Sequence, residues 1–346
     1  MKILIVGTGG GGSTDLSVVS AFRQLGHEVL FFDMRDHFRL GFLNRVINRL
    51  RKTPHYWGVE KINDAVLKSA YQFLPDLTLF IKPVYFFPET ITKLKLISKV
   101  FSWYPDYILF PKTSSYLFYK TIPLYDCHFS FNFANAEELK KCGAKLSLFL
   151  PCAADLDFHR PVSMSAEEKK YFGSNIAFVG TYAQEKRLEY LERLCHDGYD
   201  IKIWGNGWNR CPKNMCLVGS GKIQFRQVLG DEMSKVFNAS KIVLAFVRQH
   251  NSETLACRTY EIPACGGFLL HERTAKIGEV FREGVEAEFF SSYEEMQKKI
   301  DIYLADDELR HKVADAGMEK VVSGGHLFKD RVAVIVKVFN ALLGIQ

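Results

Sequence analysis

The chain has 346 residues, 47% of them apolar, 24% charged and 14% aromatic. These are the proportions of a folded globular protein rather than a disordered one, at a length that predicts two domains. Lys and Arg number 45 against 39 Asp and Glu, a formal charge of +6, which is too dilute for a dedicated nucleic-acid binder. No apolar run approaches the roughly 20 residues of a membrane-spanning helix. The opening MKILIVGTGG also reaches glycine too early for a secretory signal, so a cytoplasmic protein is expected.

In chain order, KILIV at 2–6 is a continuous apolar run that predicts a buried strand. A glycine loop, a helix from Thr14 to Leu25 ended by Gly26, and a strand at 29–32 follow it. This βαβ opening predicts a parallel sheet with helices on its faces. Further strands are expected at 77–81, 99–103 and 146–150, with a helix near 88–96. Between Pro161 and Gly173 the apolar periodicity lapses, which marks a linker.

A second βα series then begins. Its expected strands are 176–179, 201–204, 242–246, 268–271 and 288–290, and its helices 185–195, 231–237, 258–264 and 277–281, with two more over 292–320. The final stretch, 328–343, places Val332, Ile335, Val336, Phe339 and Leu343 on one stripe, an amphipathic helix expected to pack back on the first domain. The fold class is therefore α/β, with two Rossmann-like doubly wound domains facing a cleft: one over 1–162, one over 172–325, and the terminal helix within 326–346. Clefts of that kind usually hold a nucleotide.

The eight cysteines (127, 142, 152, 195, 211, 216, 257 and 265) fall at irregular spacings without a CxxC or zinc-finger histidines. They read as buried free thiols, with neither a metal nor a disulfide role. From 37 to 53 the chain carries Arg39, Arg45, Arg49, Arg51 and Lys52 around an apolar stripe at 42, 43, 46, 47 and 50. Two readings stand: a core-facing helix with a solvated basic face, or an interfacial helix in peripheral contact with anionic lipid at the inner face of the membrane.

Gly7, Gly9 and Gly12 match GxGxxG after a strand, and Asp33 ends the second strand, the arithmetic of a dinucleotide fingerprint and hence of an NAD-dependent oxidoreductase. Against that, the consecutive glycines 9–12 make a poor first helical turn, and Ser13, Thr14 and Asp15 are better caps. Gly10, Gly11, Gly12 and Ser13 read instead as a loose loop whose amides approach a ligand across the cleft.

In the second half, SETLACRTYEIPACGG (252–267) is dense in polar groups close to a core. An arginine opening a helix suits a diphosphate clamp, and Glu261, one turn on from Arg258, shares its face and suits two ribose hydroxyls. The alternative is a surface i, i+3 pair. Trp204-Gly205-Asn206-Gly207-Trp208 reads either as a simple turn or as a wall of the nucleotide pocket. Asp106, after a strand, reads as a base for an inverting reaction or as a turn aspartate.

RTYEIPACGGFLL with the following ERT, the run EVFREGVEAEFF and the tail SSYEEMQKKIDIYLADDELRHKVADAG resemble the C-terminal domain of group 1 glycosyltransferases of the CgeB, or spore-maturation, type. AEELKKCGA (136–144), LPCAAD (150–155) and HRP (159–161) are similar to that family's passage between domains, and GGGGST before LGHEV to its opening. The resemblance covers nearly the whole chain, strongest over 136–325. It implies a two-domain GT-B fold, a nucleoside diphosphate sugar held by the second domain, an acceptor held by the first, and neither cofactor nor obligatory metal.

Carried over by motif, Arg258 neutralises the diphosphate and Glu261 binds the ribose, with Thr259 beside them. Gly180, Thr181 and Tyr182 with Lys186 or Arg187, and Gly205 with Asn206, line the donor site. Glu253 and Glu261 resemble the E-x7-E pair of retaining enzymes. The implied activity is transfer of a hexosyl or pentosyl group to a glycan, lipid-linked or protein acceptor. A non-catalytic sugar-nucleotide-binding protein is the remaining alternative.

Overall fold

Runs such as KILIV and LTLFI carry no polar alternation, and a strand that must bury both faces needs none. In the computed structural model these runs are β1 (Lys2–Gly7) and β3 (Leu77–Ile81), buried along nearly their whole length. The structure describes residues 1–10, 14–37, 58–248 and 255–345. Contacts gather these into two units, one from Met1–Cys152 with Phe328–Gln346, the other from Ala153–Gln249 with Thr254–Leu327.

The first unit adds β2 (Glu28–Asp33), β4 (Lys99–Tyr104), β5 (Cys127–Ser130) and β6 (Ser147–Phe149). All six strands are parallel, in the order β2-β1-β3-β4-β5-β6. Its first helices are α1 (Thr14–Gln24), α2 (Met34–His37), α3 (Val59–Phe73), α4 (Pro88–Leu94), α5 (Tyr116–Thr121) and α6 (Asn135–Lys141). Helix α3 was not among the expected elements. Its stripe of Val59, Ile62, Val66 and Ala70 is fully covered by the core around Phe80, Phe86 and Ile91.

The second unit opens with α7 (Ala166–Phe172), and its strands are β7 (Ile176–Val179), β8 (Ile201–Trp204), β9 (Ile242–Ala245), β10 (Leu269–Glu272) and β11 (Glu288–Phe290). They run parallel in the order β11-β10-β9-β7-β8. Its other helices are α8 (Lys186–His196), α9 (Cys216–Gly219), α10 (Asp231–Ala239), α11 (Arg258–Ala264), α12 (Ile277–Val280), α13 (Tyr293–Ala305) and α14 (Asp307–Ser323). The last helix, α15 (Phe328–Leu343), packs on α1 in the first unit, with Phe339 edge-on to Phe101 and Arg331 donating to the Pro151 carbonyl.

Each sheet reverses its strand order once, between β1 and β3 and between β7 and β9. In doubly wound sheets ligands settle beyond the strand C-termini at that reversal. The loops after Gly7 and after Val179 are therefore the places to look.

Two expectations are corrected. The stretch 161–173 is not a bare linker: α7 occupies its second half, closed by a capping box between Ser165 and Glu168. Phe172 is buried beside Trp204, and Glu168 pairs with Lys235 of α10. The cysteines are not all free, since Cys195 and Cys216 form a disulfide. Irregular sequence spacing hid it, because the end of α8 and the start of α9 meet only in the fold, with Cα atoms 6.1 Å apart. Of the six free thiols, Cys142 and Cys257 are half-buried rather than buried. Among the described residues no helix is long and apolar enough to cross a membrane. Most of the basic segment 37–53 lies outside the described residues.

Candidate functional site

At the end of β7 the chain turns through Gly180, Thr181 and Tyr182, and three hydrogen bonds lay this loop along the one after β8. Gly180 N–H donates to the Trp204 carbonyl (2.9 Å), Tyr182 N–H to that of Asn206 (2.8 Å), and Trp208 Nε1–H to that of Gly180 (2.9 Å). Gly205 has φ near +143°, and a Cβ there would lie 2.1 Å from the Gly180 oxygen. Only glycine allows the two loops to touch. The 204–208 segment is thus a turn built to support 180–182.

Arg187 is buried, and its Nη2 donates to the Thr181 carbonyl (2.8 Å), so this cation holds the loop rather than facing out. Lys186, one residue earlier at the start of α8, is the exposed member of the pair. Its ammonium lies over the Tyr190 ring at 5.0 Å and 3.9 Å from Glu272 Oε1. Burial raises the Glu272 carboxyl above its ordinary range, although Val247 N–H donates to it.

Arg258 reaches the same strand end from α11. Its Nε donates to the Val179 carbonyl (3.2 Å), its guanidinium stands over the Phe237 ring at 5.7 Å, and Nη1 pairs with Glu261 Oε2. Side-chain exposure is 27% for Arg258 and 11% for Glu261, so this is no surface helical pair. It is a largely desolvated ion pair at the strand-order reversal, where opening it without a replacement partner is costly.

Behind Glu261 stands His159. Asp155 N–H donates to His159 Nδ1 (3.0 Å), which places the ring proton on Nε2, and Nε2 faces Glu261 Oε1 at 3.7 Å. Burial first, and the positive charge of Arg258 second, push the imidazole down to about 3. The ring is therefore neutral, and its contact with Glu261 is not a salt bridge. Thr259 turns the other way: its hydroxyl donates to His271 Nε2 (2.9 Å), and both residues are fully buried. It is a core residue, which corrects the expectation that it lines the site. Burial holds His271 at about 4, neutral, with Nδ1–H donating to the Glu272 carbonyl.

Sequence reading assigned no role to His159 or Phe237. Of these only His159 carried a signal, as part of the HRP segment.

The remaining predicted residues belong to the first unit or lie outside the described residues. Asp106 follows β4 and pairs with Lys82 (2.5 Å), while the buried Asn135 donates to its carbonyl (2.6 Å). Lys82 itself has φ +55° at the end of β3, a conformation that costs a lysine free energy. In the glycine loop, Gly10 lies against the Arg35 guanidinium, which is itself paired with Asp33, and a Cβ on Gly7 would fall 2.5 Å from Asp15 Oδ2. Gly11, Gly12, Ser13 and Glu253 lie outside the described residues. Among the described residues no group of three His, Cys, Asp or Glu side chains is placed to hold a metal ion.

Residues 184–337, which include Lys186, Arg258 and Glu261, match the family described as glycosyl transferase-like. No curated protein sequence matches the chain. Among solved structures it is similar to a sucrose-phosphate synthase from Thermosynechococcus elongatus (TM-score 0.69, 12% identity, 99% of both chains). It is also similar to a glycosyltransferase from Rickettsia africae (0.66, 12%, 99% of this chain and 98% of that one) and to HepE from Anabaena in complex with UDP-glucose (0.59, 13%, 100% of both). At such identities the likeness establishes the fold, which is GT-B. The family match lies within the second unit and the start of α15, and the likeness of fold extends over the whole chain.

Proposed function

We propose that the chain transfers a hexosyl or pentosyl group from a nucleoside diphosphate sugar to a hydroxyl of a glycan, lipid-linked or protein acceptor, and that it is nearest the CgeB type. The observation that carries this is the desolvated Arg258–Glu261 pair at the end of β7, inside the matched segment. A nucleoside diphosphate offers each member a better partner: two ribose hydroxyls for the carboxylate and two anionic phosphates for the guanidinium. That structures of similar fold hold UDP or UDP-glucose favours a uridine donor.

In the reaction the bond from the anomeric carbon to the β-phosphate oxygen breaks, and a bond from that carbon to the acceptor oxygen forms. The acceptor proton leaves and the diphosphate departs. Charge develops on the departing diphosphate, and Arg258 with Lys186 supplies fixed positive charge there without a divalent ion. The enzyme needs no cofactor.

The dinucleotide reading is disfavoured by the first unit's own charges. Asp15 brings a carboxylate against Gly7 and Thr8 where a pyrophosphate would sit, and Asp33, the acid that would take the ribose, is already occupied by Arg35.

A thermal-shift panel with UDP, GDP, dTDP, CDP and NAD tests the donor class, since a ligand at 100 times its Kd stabilises by about 2.7 kcal/mol. Arg258→Lys keeps the charge but loses the planar fork. It should weaken the stabilising nucleotide at least tenfold, read against the variant's own unliganded melt. Stabilisation by NAD alone, or by no nucleotide, refutes the proposal. Donor binding without turnover on any acceptor indicates a sugar-nucleotide-binding protein instead.

A further inference from the structure

We infer that His159 is a positioning residue for Glu261 and thereby sets the protein's preference for ribose over deoxyribose in its nucleotide. The inference rests on the donor site proposed above. Glu261 lies between two donors, with Oε2 on the Arg258 guanidinium and Oε1 facing His159 Nε2–H at 3.7 Å. When a diphosphate draws Arg258 away, the carboxylate loses the partner that fixes it. A buried carboxylate then needs another donor to hold its plane toward the ribose.

His159 is built for that task. It is 5% exposed, its main-chain N–H donates to the Asp155 carbonyl at 2.6 Å, and Asp155 N–H returns a hydrogen bond to Nδ1 at 3.0 Å. The first bond fixes the main chain, and the second fixes the ring's direction and its tautomer. The turn is fixed in its place as well, since Ala154 N–H donates to the His326 carbonyl (3.0 Å) and Ser234 Oγ–H to that of Phe158 (2.7 Å).

Burial keeps the ring neutral through the physiological range. A neutral donor suits the role: an imidazolium would compete with the ribose for the carboxylate, whereas a single N–H leaves the other lone pairs for the two hydroxyls.

Two substitutions separate this role from a structural one. His159→Asn keeps an acceptor near the Nδ1 position for Asp155 N–H and loses the donor toward Glu261. His159→Gln places an amide N–H near the Nε2 position. The measurement is the ratio of Kd values for UDP and 2′-deoxy-UDP, and for GDP and 2′-deoxy-GDP, on the full chain, with Glu261→Gln as reference and a melt for every variant.

The wild-type protein should prefer the ribonucleotide by roughly 30-fold, as expected of a hydrogen bond to a charged group. His159→Asn should reduce the ratio to within about threefold, and His159→Gln should retain most of it. If Glu261→Gln loses the preference while His159→Asn keeps it, or if both His159 variants change it alike, the inference is overturned and the donor site stands. If neither ribonucleotide binds the wild-type protein, or Glu261→Gln leaves the ratio unchanged, the donor site fails and takes the inference with it.

Discussion

Asp15 is a carboxyl placed where burial works against its charge, and its replacement by Asn measures that cost directly. Thr8 N–H donates to Oδ2, but burial dominates, with Asp33 adding repulsion, and the carboxyl is raised from 3.8 to about 6. Because the folded state holds this proton more tightly than the unfolded chain, the associated stability is complete below about pH 3.8 and lost as pH rises through 6. At about 1.4 kcal/mol per pH unit the whole change is about 3 kcal/mol, of which about 2 kcal/mol falls between pH 4.5 and 7.5.

Asp15→Asn keeps an oxygen for Thr8 N–H and removes the charge. Melting curves of the two proteins at pH 4.5, 6.0 and 7.5 should therefore diverge, with the variant gaining about 4–8 °C on the wild type across that range. Parallel curves would refute the reasoning, because they would show that water reaches Asp15 and the loop above it is open. The same variant tests the dinucleotide reading, since it relieves the repulsion that a pyrophosphate would meet at this loop.

Thr259→Val should destabilise by about 1–3 kcal/mol in urea unfolding, because it leaves His271 Nε2 without its donor in a site with no solvent exposure. No loss would mean that water reaches His271. Denatured but unreduced protein should take up six alkyl labels by mass, and eight after reduction, if Cys195 and Cys216 are joined as observed. Eight labels before reduction would contradict the pairing.

Most strands were legible because parallel strands buried on both faces appear as unbroken apolar runs, as in β1, β3, β7 and β9; β5 was not, because His128 and Ser130 interrupt its apolar run although both are buried. Helix α7 was not, because only Phe172 of its seven residues is buried and no periodicity shows. Its one local signal was the Ser165–Glu168 capping box. Arg258 and Glu261 were legible as a pair because residues three apart share a helix face, and the same geometry turns Thr259 away from them toward His271. His159 could not be linked to Glu261 from sequence, since the segment carrying it lies far from α11 in the chain and meets it only once the second unit has folded.

Arg258 and Glu261, the two strongest groups of the site, satisfy one another, and this constrains what can bind there on the proposed reading. A ligand with phosphates but no ribose draws Arg258 off and leaves Glu261 as a buried, poorly compensated charge. A free nucleoside offers the carboxylate its hydroxyls but leaves Arg258 without an anion. Only a molecule that carries both, spaced as in a nucleoside diphosphate, replaces the internal pair with two external ones. Because the new contacts are exchanged for an existing ion pair, their net contribution falls well below the sum of their separate strengths. That modest net gain suits a site whose product is the free nucleoside diphosphate: on release, Arg258 and Glu261 close on each other again, and the desolvation cost that would otherwise slow departure is met within the protein.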